Sequence, residues 1–391
     1  DGTLRIDFGG IFVGAAVFAA NGPKGATIRI LCGQELNADG SVRHKMRCNC
    51  DYVEQMVLSG GPRDVLEQFD YKSFRHAELQ VPAGVEIDRE SIRLRARHRP
   101  FALKAKPNFG DDPELARIWN LCVDSFRWGV QEQIMDCMDR EKGYYLGDGI
   151  YTMYSYCLLT GDWRPARNFI DDFLRTKRID RGLVTCANCS FMQEIAEYPL
   201  MVLILNEIYV RVTGDKAYAA ETLPKAEAVL RSYLKRYGFP PRNVDKWCVV
   251  DWPKESRDGY DFDLTNGVTV DGTHNVICAW FLLAVRAAEA MEDLLGKPRE
   301  FPEAGEWREI YRKTFFMEDR HLFRDRPESD HSALPSNVMA ALLGFARSDA
   351  EFRDNLLGMI RERFNGRDPG REKAKKNGKK GPKSKKAGRK A

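Results

Sequence analysis

The sequence predicts two fold classes in succession, an antiparallel β-sandwich over residues 1–105 and an all-helical domain over 106–365. Two observations predict this order. Short apolar runs separated by Gly, Pro, Asn and Asp fill the first hundred residues, which is typical of an antiparallel sandwich. From Asp111 onward the apolar residues instead recur with the period of amphipathic helices, so the fold class changes there.

The β-domain is predicted from four runs that read as strands: "LRIDF", "TIRILCG", "VEQMVLSG" and "SIRLRAR". In the second run Ile28 and Ile30 flank Arg29, and in the fourth Ile92 and Leu94 alternate with arginines. Alternation with a period of two places apolar side chains on one face of a strand. We therefore expect strands with one buried face.

The helical domain is predicted to begin at Asp112, a capping carboxylate followed by proline at the first helical position. An apolar stripe at helical spacing follows, formed by Leu115, Ile118, Trp119, Cys122 and Phe126. Further helices are predicted near 149–160, 163–177, 199–213, 216–237, 274–296, 303–315, 333–345 and 349–364. The total is nine predicted helices.

Two similar segments, "LTGDWRPA" (159–166) and "VTGDKAYA" (212–219), each place a glycine and an aspartate between predicted helices. The glycine is suited to end one helix and the aspartate to cap the next. A period near 50 residues indicates helical hairpins, stacked around a ring or along a solenoid. The segment 238–272, rich in Trp and Asp, interrupts this rhythm, and loops of such length are often functional.

The net charge of +4 conceals an acidic body. Between Arg367 and Lys390, twelve Lys and Arg face two acidic residues, a local excess of +10, so the rest of the chain carries −6. The tail 366–391 is predicted to be disordered. Lysine clusters attract phosphate, but no aromatics interleave them for base stacking, so a nucleic-acid partner is expected only through this tail. No run of 18 apolar residues occurs, so no membrane partner is expected.

The ten cysteines form no disulfide framework. Cys48 with Cys50, and Cys186 with Cys189, are close enough in sequence for a structural zinc site. Neither pair has a second pair at zinc-finger spacing. Ordinary thiols in a reducing compartment are the preferred interpretation, and we expect no metal and no cofactor.

The stretch "DCMDREKGYYLGDG" (136–149) concentrates carboxylates, an arginine and two tyrosines at one turn. Glycoside hydrolysis requires one carboxylic acid to protonate the leaving oxygen and a second carboxylate. An arginine holds one carboxylate ionised, while neighbouring carboxylates raise the pKa of another until it serves as the acid. The candidates are Asp136, Glu141 and Asp148, with Arg140, Tyr144 and Tyr145. A solvated acidic loop remains the alternative, whereas a calcium site lacks EF-hand spacing.

The same stretch resembles the signature of family 78 glycoside hydrolases, the α-L-rhamnosidases. That signature reads Asp-Cys-x-x-Arg-Glu, then an aromatic, then Gly-Asp. The flanks "DFGGIFVG", "NGPKGATIRILCGQELNADGS" and "FDYKSFRHAEL" resemble the family's β-sandwich. "LCVDSFRWGVQEQIMDC", "YCLLTGDWRPA" and "EYPLMVLILNEIYVRVTGD" resemble helices of its (α/α)6 barrel. The resemblance implies an N-terminal antiparallel β-sandwich followed by an incomplete (α/α)6 barrel, with about nine of twelve helices.

The resemblance also implies residue roles. Glu141 is expected to be the general acid, and Asp136, Arg140 and Asp148 to bind rhamnose hydroxyls. The family's aromatic after the acid, usually Trp, is here Tyr145. Weaker sugar-binding candidates lie in later loops: Glu197, where the family often has Asp, and Asp251 and Trp252 within "KWCVVDW". For Trp252 a role in the core is an equal alternative.

The family's mechanism is inverting, and its general base is a glutamate in a late barrel loop. No Thr-rich stretch followed by Trp-Glu occurs before the tail, so the chain is expected to lack the base and to be weakly active or inactive. The missing helices are expected to leave apolar surface uncovered. The implied partner is a rhamnose-containing glycoside or oligosaccharide, with a homodimer left open. The alternative function is a non-catalytic carbohydrate-binding protein that keeps the sugar pocket.

Overall fold

A computed structural model describes residues 2–46, 50–176, 182–188, 194–248, 250, 256–260 and 272–364. The tail 366–391, Cys48, Cys189, Asp251 and Trp252 lie outside the described residues. The chain divides into two compact units. The first is Asp1–Glu194 with Met201–Lys225, and the second is Ile195–Leu200 with Ala226–Ala391.

Six strands form one antiparallel sheet in the order β3-β2-β5-β1-β4, with β6 also paired to β1. The strands are β1 Gly2–Asn21, β2 Thr27–Gly33, β3 Val53–Val57, β4 Asp64–Leu66, β5 Lys72–Val81 and β6 Glu86–Ala96. The long strand β1 pairs first with β5 and then with β4 and β6, with breaks in register after Asp7 and Val17. The predicted antiparallel β-domain is confirmed, although no run predicted β4 or β5.

The period-two pattern decides which face of the sheet is buried. Ile28 and Ile30 are fully buried beside Phe74 and Leu79, whereas Arg29 between them is exposed. Burying an isoleucine stabilises a fold by about 1.5–3 kcal/mol. This core anchors β2, whose C-terminal end leads into the hairpin loop that approaches the acidic turn.

Ten helices lie in the described part of the chain after the sheet. They are α1 Pro113–Gly129, α2 Leu146–Thr160, α3 Arg164–Leu174, α4 Tyr198–Thr213, α5 Lys216–Tyr237, α6 Asn275–Leu295, α7 Ala304–Phe315, α8 Leu334–Leu342, α9 Phe345–Ser348 and α10 Ala350–Phe364. Each predicted helix has a counterpart. The one predicted at 333–345 ends earlier, because Gly344 has a φ of 95° and separates α8 from α9. A short hairpin, β7 Phe316–Met317 with β8 Leu322–Phe323, was not predicted.

The predicted helix boundaries have the expected chemistry. Asp112 caps α1 by accepting hydrogen bonds from two backbone N–H groups of the first turn. Gly161 ends α2 in the left-handed conformation, and its N–H donates to Cys157 O at 2.7 Å. Gly214 ends α4 in the same way, with its N–H donating to Val210 O. The glycine of each "TGD" segment therefore ends a helix as predicted. Asp215 also caps α5 by accepting from the N–H of Tyr218, whereas the N-cap of α3 is Trp163 and has no side-chain cap.

The predicted apolar stripe of α1 is only partly covered within the described residues. Leu115 and Ile118 are 47% and 51% exposed, whereas Trp119 and Phe126 are partly buried. The residues that the helix buries most are Val123 and Trp128. The period of the apolar residues predicted helix α1 correctly. Which face of α1 is buried depends on contacts with other parts of the chain.

None of the helices in the described ranges is both long and apolar enough to cross a membrane. Cys50 and Cys137, which lie in those ranges, are free thiols.

Candidate active site

The acidic turn lies between α1 and α2 and is closed by a pair of hydrogen bonds. The backbone N–H of Asp136 donates to Gly143 O at 3.0 Å, and the N–H of Gly143 donates to Asp136 Oδ1 at 2.6 Å. Lys142 adopts a φ of 48°, which reverses the chain before Gly143. The chain therefore reverses over 136–143, and this turn carries both Asp136 and Glu141.

The carboxylate of Glu141 has two neighbours on this turn. The thiol of Cys137 donates to Glu141 Oε2 at 2.8 Å, and Arg140 Nε lies 3.5 Å from the same oxygen. One side-chain atom each of Asp136, Cys137 and Glu141 lies within 4.8 Å of the other two. The Glu141 side chain is 37% exposed, so one side of it is open to a ligand.

The proton distribution in this cluster differs from the expectation for a general acid. The Cys137 thiol lowers the pKa of Glu141 by donating a hydrogen bond to it, and the positive charge of Arg140 acts in the same direction. Burial raises the pKa of Asp136, and the negative charge of Glu141 adds to this effect. In this turn, therefore, the partly buried Asp136 holds a proton more readily than a free aspartate, and Glu141 loses its proton more readily than a free glutamate.

Tyr145 lies directly against the base of the turn. A Cβ placed on Gly143 would be 2.1 Å from Cε2 of Tyr145, so the ring covers the backbone that binds Asp136. The backbone of Tyr145 forms a β-bridge with Ala187 and caps α2 in an extended conformation. The Tyr145 ring and the Asp136 carboxylate thus both lie against Gly143.

Tyr144, the neighbouring candidate, belongs to the core. Its ring contacts Phe169 and Phe173 at centroid distances of 5.4 and 5.3 Å. Its hydroxyl donates to Asp172 Oδ2 at 3.1 Å. The structure therefore separates the two adjacent tyrosines, one to the interior and one to the turn.

Asp148 is exposed in the first turn of α2. The N-terminus of a helix carries partial positive charge and favours an anion. The negative charge of Asp148 also contributes to the raised pKa of Asp136. The structure thus brings together Asp136, Arg140, Glu141, Tyr145 and Asp148 around one turn.

Glu197 lies in the second compact unit and is 2% exposed. Its Oε1 accepts a hydrogen bond from the backbone N–H of Val250 at 3.3 Å. The adjacent Ala196 N–H donates to Trp247 O at 2.7 Å. Glu197 thus anchors the stretch that leads to Asp251 and Trp252, and the sugar contacts of all three residues stay predictions.

The acidic turn is held on its other side by the β-domain. The hydroxyl of Tyr52 donates to Asp139 O at 2.6 Å, and Gln34 Nε2 donates to Asp139 Oδ2 at 3.4 Å. Lys142 Nζ donates to Tyr71 O and lies 4.2 Å from the centre of the Tyr71 ring. A cleft of about 220 Å³ opens here, lined by Gln34, Glu35, Arg43, Met46, Asp139 and Arg140.

Sequence reasoning missed the β-domain side of this cleft and gave Cys137 no role. Gln34 and Asp139 are 105 residues apart, and no local pattern links them. For Cys137, its position four residues before Glu141 was the available signal, because the turn brings those two side chains into contact.

Comparison with known proteins identifies the class and then the family. Residues 109–363 match the family model of the bacterial alpha-L-rhamnosidase 6 hairpin glycosidase domain, and residues 1–96 match that of the bacterial alpha-L-rhamnosidase concanavalin-like domain. The fold is therefore that of a six-hairpin glycosidase preceded by a β-domain, which confirms the predicted class. The chain belongs to the bacterial α-L-rhamnosidases of glycoside hydrolase family 78.

Solved structures agree on the fold. The family 78 rhamnosidase of Bacillus sp. GL1 aligns with a TM-score of 0.75 and 18% identity over 92% of this chain and 37% of its own. The Streptomyces avermitilis α-L-rhamnosidase, complexed with L-rhamnose, aligns with a TM-score of 0.70 and 17% identity over 93% of this chain and 34% of its own. A Klebsiella oxytoca rhamnosidase with rhamnose bound aligns with a TM-score of 0.68 and 16% identity, over 91% of this chain and 71% of its own. This chain thus spans about a third of the length of the first two. No curated protein matches it by sequence.

Proposed function

We propose that this chain belongs to an enzyme that hydrolyses terminal, non-reducing α-L-rhamnose residues of α-L-rhamnosides by an inverting acid/base mechanism. The observation that carries the proposal is the carboxyl cluster of the acidic turn. Glu141 contacts Cys137 and Arg140, and one of its carboxylate oxygens lies within 4.8 Å of an Asp136 carboxylate oxygen. Membership of a glycosidase family supports the reaction class. The rhamnose-bound relatives support the sugar.

Each residue of the turn has a proposed role. Glu141 protonates the oxygen of the departing group, because its carboxyl is the exposed member of the pair. Asp136, Arg140 and Asp148 bind sugar hydroxyls, and the ring of Tyr145 covers an apolar face of the sugar. The reaction as proposed uses no metal or cofactor.

The geometry of the turn argues that the general base lies elsewhere. Inverting glycosidases hold their two carboxyl groups about 6.5–9.5 Å apart with a water between them. The Asp136 and Glu141 carboxylate oxygens lie within 4.8 Å of each other. We therefore propose that Asp136 is not the base. Because no Thr-rich stretch followed by Trp-Glu occurs before residue 366, we also propose that this chain lacks the base and is weakly active. We also propose domains at 1–105 and 106–365, which the extents of the two family matches support.

The test is release of L-rhamnose from methyl α-L-rhamnoside, whose leaving group needs the proton. Loss of a general acid typically costs about 10²–10⁴-fold in rate, so Glu141→Gln is expected to lose at least 100-fold in kcat/KM. The matched control is Glu132→Gln, an exposed glutamate that pairs with Arg97 outside the turn, and its activity is expected within twofold of the parent. Equal activity in Glu141→Gln and the parent would refute the assignment of the acid.

A second candidate function is non-catalytic carbohydrate binding. It is favoured by the lowered pKa of Glu141, since an ionised glutamate has no proton to donate. This function predicts that L-rhamnose raises the melting temperature while no rhamnoside is cleaved at any pH between 4 and 8.

A further inference from the structure

We propose that Lys142 is a positioning residue for the general acid, because its ammonium group joins the acidic turn to Asp70 and Tyr71 of the β-domain and so holds Glu141 against the thiol of Cys137. We call the contacts of this ammonium group with Asp70 and Tyr71 the Lys142 anchor. The inference rests on the proposed function for the role of Glu141 as the acid, and it extends that function to a residue outside the carboxyl cluster.

The backbone of the turn at Lys142 has a conformation that favours glycine. Its φ of 48° lies in the left-handed region, which residues with a side chain disfavour. The carbonyl oxygen of Lys142 accepts a hydrogen bond from Gln133 Nε2 at 2.7 Å, and the next residue, Gly143, is bound to Asp136. A lysine at such a position indicates that contacts of its side chain stabilise the turn.

The Lys142 side chain reaches the β-domain through three contacts. Its Nζ donates to Asp70 Oδ1 at 3.2 Å and to Tyr71 O. The same nitrogen lies 4.2 Å from the centre of the Tyr71 ring, where a cation and an aromatic face attract each other. The side chain is only 21% exposed. The anchor is therefore a partly desolvated contact that fixes the ammonium group from several sides.

Tyr71 also contacts the chain at the other end of the turn. Its side chain is buried, and its hydroxyl donates to Met135 Sδ at 3.2 Å. Met135 directly precedes Asp136, where the turn begins. One buried residue of the β-domain thus contacts the chain just before the turn and, through Lys142, near its end.

The anchor acts on Glu141 through the backbone. The carboxylate partner of Lys142 is Asp70, whereas the pKa of Glu141 is lowered by the hydrogen bond from Cys137 and by the charge of Arg140. Glu141 is adjacent to Lys142, so a displaced Lys142 moves Glu141 with it. The bond from Cys137 to Glu141 measures 2.8 Å, and hydrogen bonds weaken steeply when their geometry is lost. A loosened anchor is therefore expected to weaken that bond.

The experiment is an NMR titration of the Glu141 carboxyl carbon without substrate, in which comparison with Glu141→Gln identifies the resonance. Lys142→Met removes the ammonium group but keeps the apolar stem on the Tyr71 ring, and Asp70→Asn weakens the partner of the ammonium group. Both variants are expected to raise the pKa of Glu141 by about 0.3 unit or more, because they loosen a bond whose complete loss corresponds to about half to one unit. The matched control is Lys24→Met, an exposed lysine between β1 and β2, which is expected to leave this pKa unchanged.

The sign of the Asp70→Asn effect separates positioning from electrostatics through space. Removing the negative charge of Asp70 would by itself favour the ionised form of Glu141 and lower its pKa. A loosened anchor raises this pKa instead. Lys142→Arg keeps a cation that stacks on an aromatic ring and pairs with a carboxylate, so it is expected to restore the parent pKa.

The double variant Cys137→Ala/Lys142→Met tests the route of the effect. If the anchor acts through the bond from Cys137, the double variant shifts the pKa of Glu141 no further than Cys137→Ala alone, whereas independent effects add. Melting curves of all the variants check that they are folded at the temperature of the titration.

Three results overturn the inference. An unchanged or lowered pKa of Glu141 in Asp70→Asn refutes positioning. Additive shifts in the double variant refute the route through Cys137. A shift in Lys24→Met as large as that in Lys142→Met shows that the anchor has no special effect. Absence of rhamnose release by the parent refutes the proposed function instead, and the titration tells the two failures apart because it uses no substrate.

Discussion

Replacing Cys137 by alanine tests how the turn controls the proton of Glu141. Burial and the hydrogen bond to Glu141 raise the pKa of the Cys137 thiol to about 11, so the thiol is a donor at neutral pH. It donates to Glu141 Oε2 at 2.8 Å, and this bond is the largest contribution to the lowered pKa of Glu141. Alanine removes the donor, so the pKa of Glu141 is expected to rise.

The magnitude follows from the strength of one hydrogen bond. A bond to a charged group is worth about 1.5–3 kcal/mol, but the thiol is a weak donor. The Glu141 side chain is 37% exposed, so water replaces part of what is lost. About 0.7–1.4 kcal/mol remains after this discount, which corresponds to about half to one pH unit.

The assay is the pH dependence of kcat/KM on an alkyl α-L-rhamnoside, whose leaving group needs the proton. The basic limb of this profile reports loss of the proton from the free enzyme. It is expected to move to higher pH by about half to one unit in Cys137→Ala, and to move far less in Cys137→Ser, which keeps a donor. The Glu141 carboxyl carbon, titrated by NMR without substrate, is expected to shift in the same direction. An unmoved or acid-shifted limb in the alanine variant, or an equal shift in the serine variant, would refute the reasoning.

The remaining predictions concern the turn and the helix that precedes it. Gly143→Ala is expected to displace the Tyr145 ring, since its Cβ would be 2.1 Å from that ring, and to lower rhamnoside kcat/KM by about 10-fold or more. Gly129→Ala is its control, because a Cβ there meets nothing within 4 Å, and equal losses in both variants would contradict the prediction. Asp112→Ala is expected to lower the free energy of unfolding by about 1 kcal/mol through loss of the α1 cap. Urea denaturation measures this loss, and Asp111→Ala should show no such effect. Asp136→Asn is expected to raise the melting temperature at pH 7 by about 2 °C. A carboxyl whose pKa is raised in the folded state binds its proton more tightly than in the unfolded chain, so stability falls as the pH rises above the unfolded pKa near 3.9. The gain should therefore disappear towards pH 4, and a gain independent of pH would contradict it.

Local sequence patterns predicted a strand or a helix end correctly where that feature depends on a few adjacent residues. The alternation around Arg29 identified a strand, and the Asp112–Pro113 pair identified the start of α1. Gly161 and Gly214 identified helix ends because left-handed caps favour glycine. In each case the deciding interaction lies within a few residues of the pattern.

Contacts between residues that are distant in sequence determined the features that local patterns could not predict. Tyr144 and Tyr145 are adjacent and identical in kind, but only Tyr144 meets Phe169 and Phe173, which lie on a later helix. The same limit applies to the proton of the turn. Composition indicated that one carboxyl has a raised pKa, whereas the burial of Asp136 and the thiol beside Glu141 decide which one.

The cost of the acidic turn argues against a merely solvated loop. Exposed ion pairs contribute about 0–1 kcal/mol and need no special backbone. Here the chain places Lys142 at a φ of 48°, and it buries part of a carboxyl whose pKa is raised in consequence. It also packs Tyr145 so closely against Gly143 that no larger residue fits without displacing the ring. Each feature lowers stability at neutral pH or restricts the sequence, and functional sites are where such costs concentrate. A turn kept only for solubility would place its carboxylates in water, where none of these costs arises.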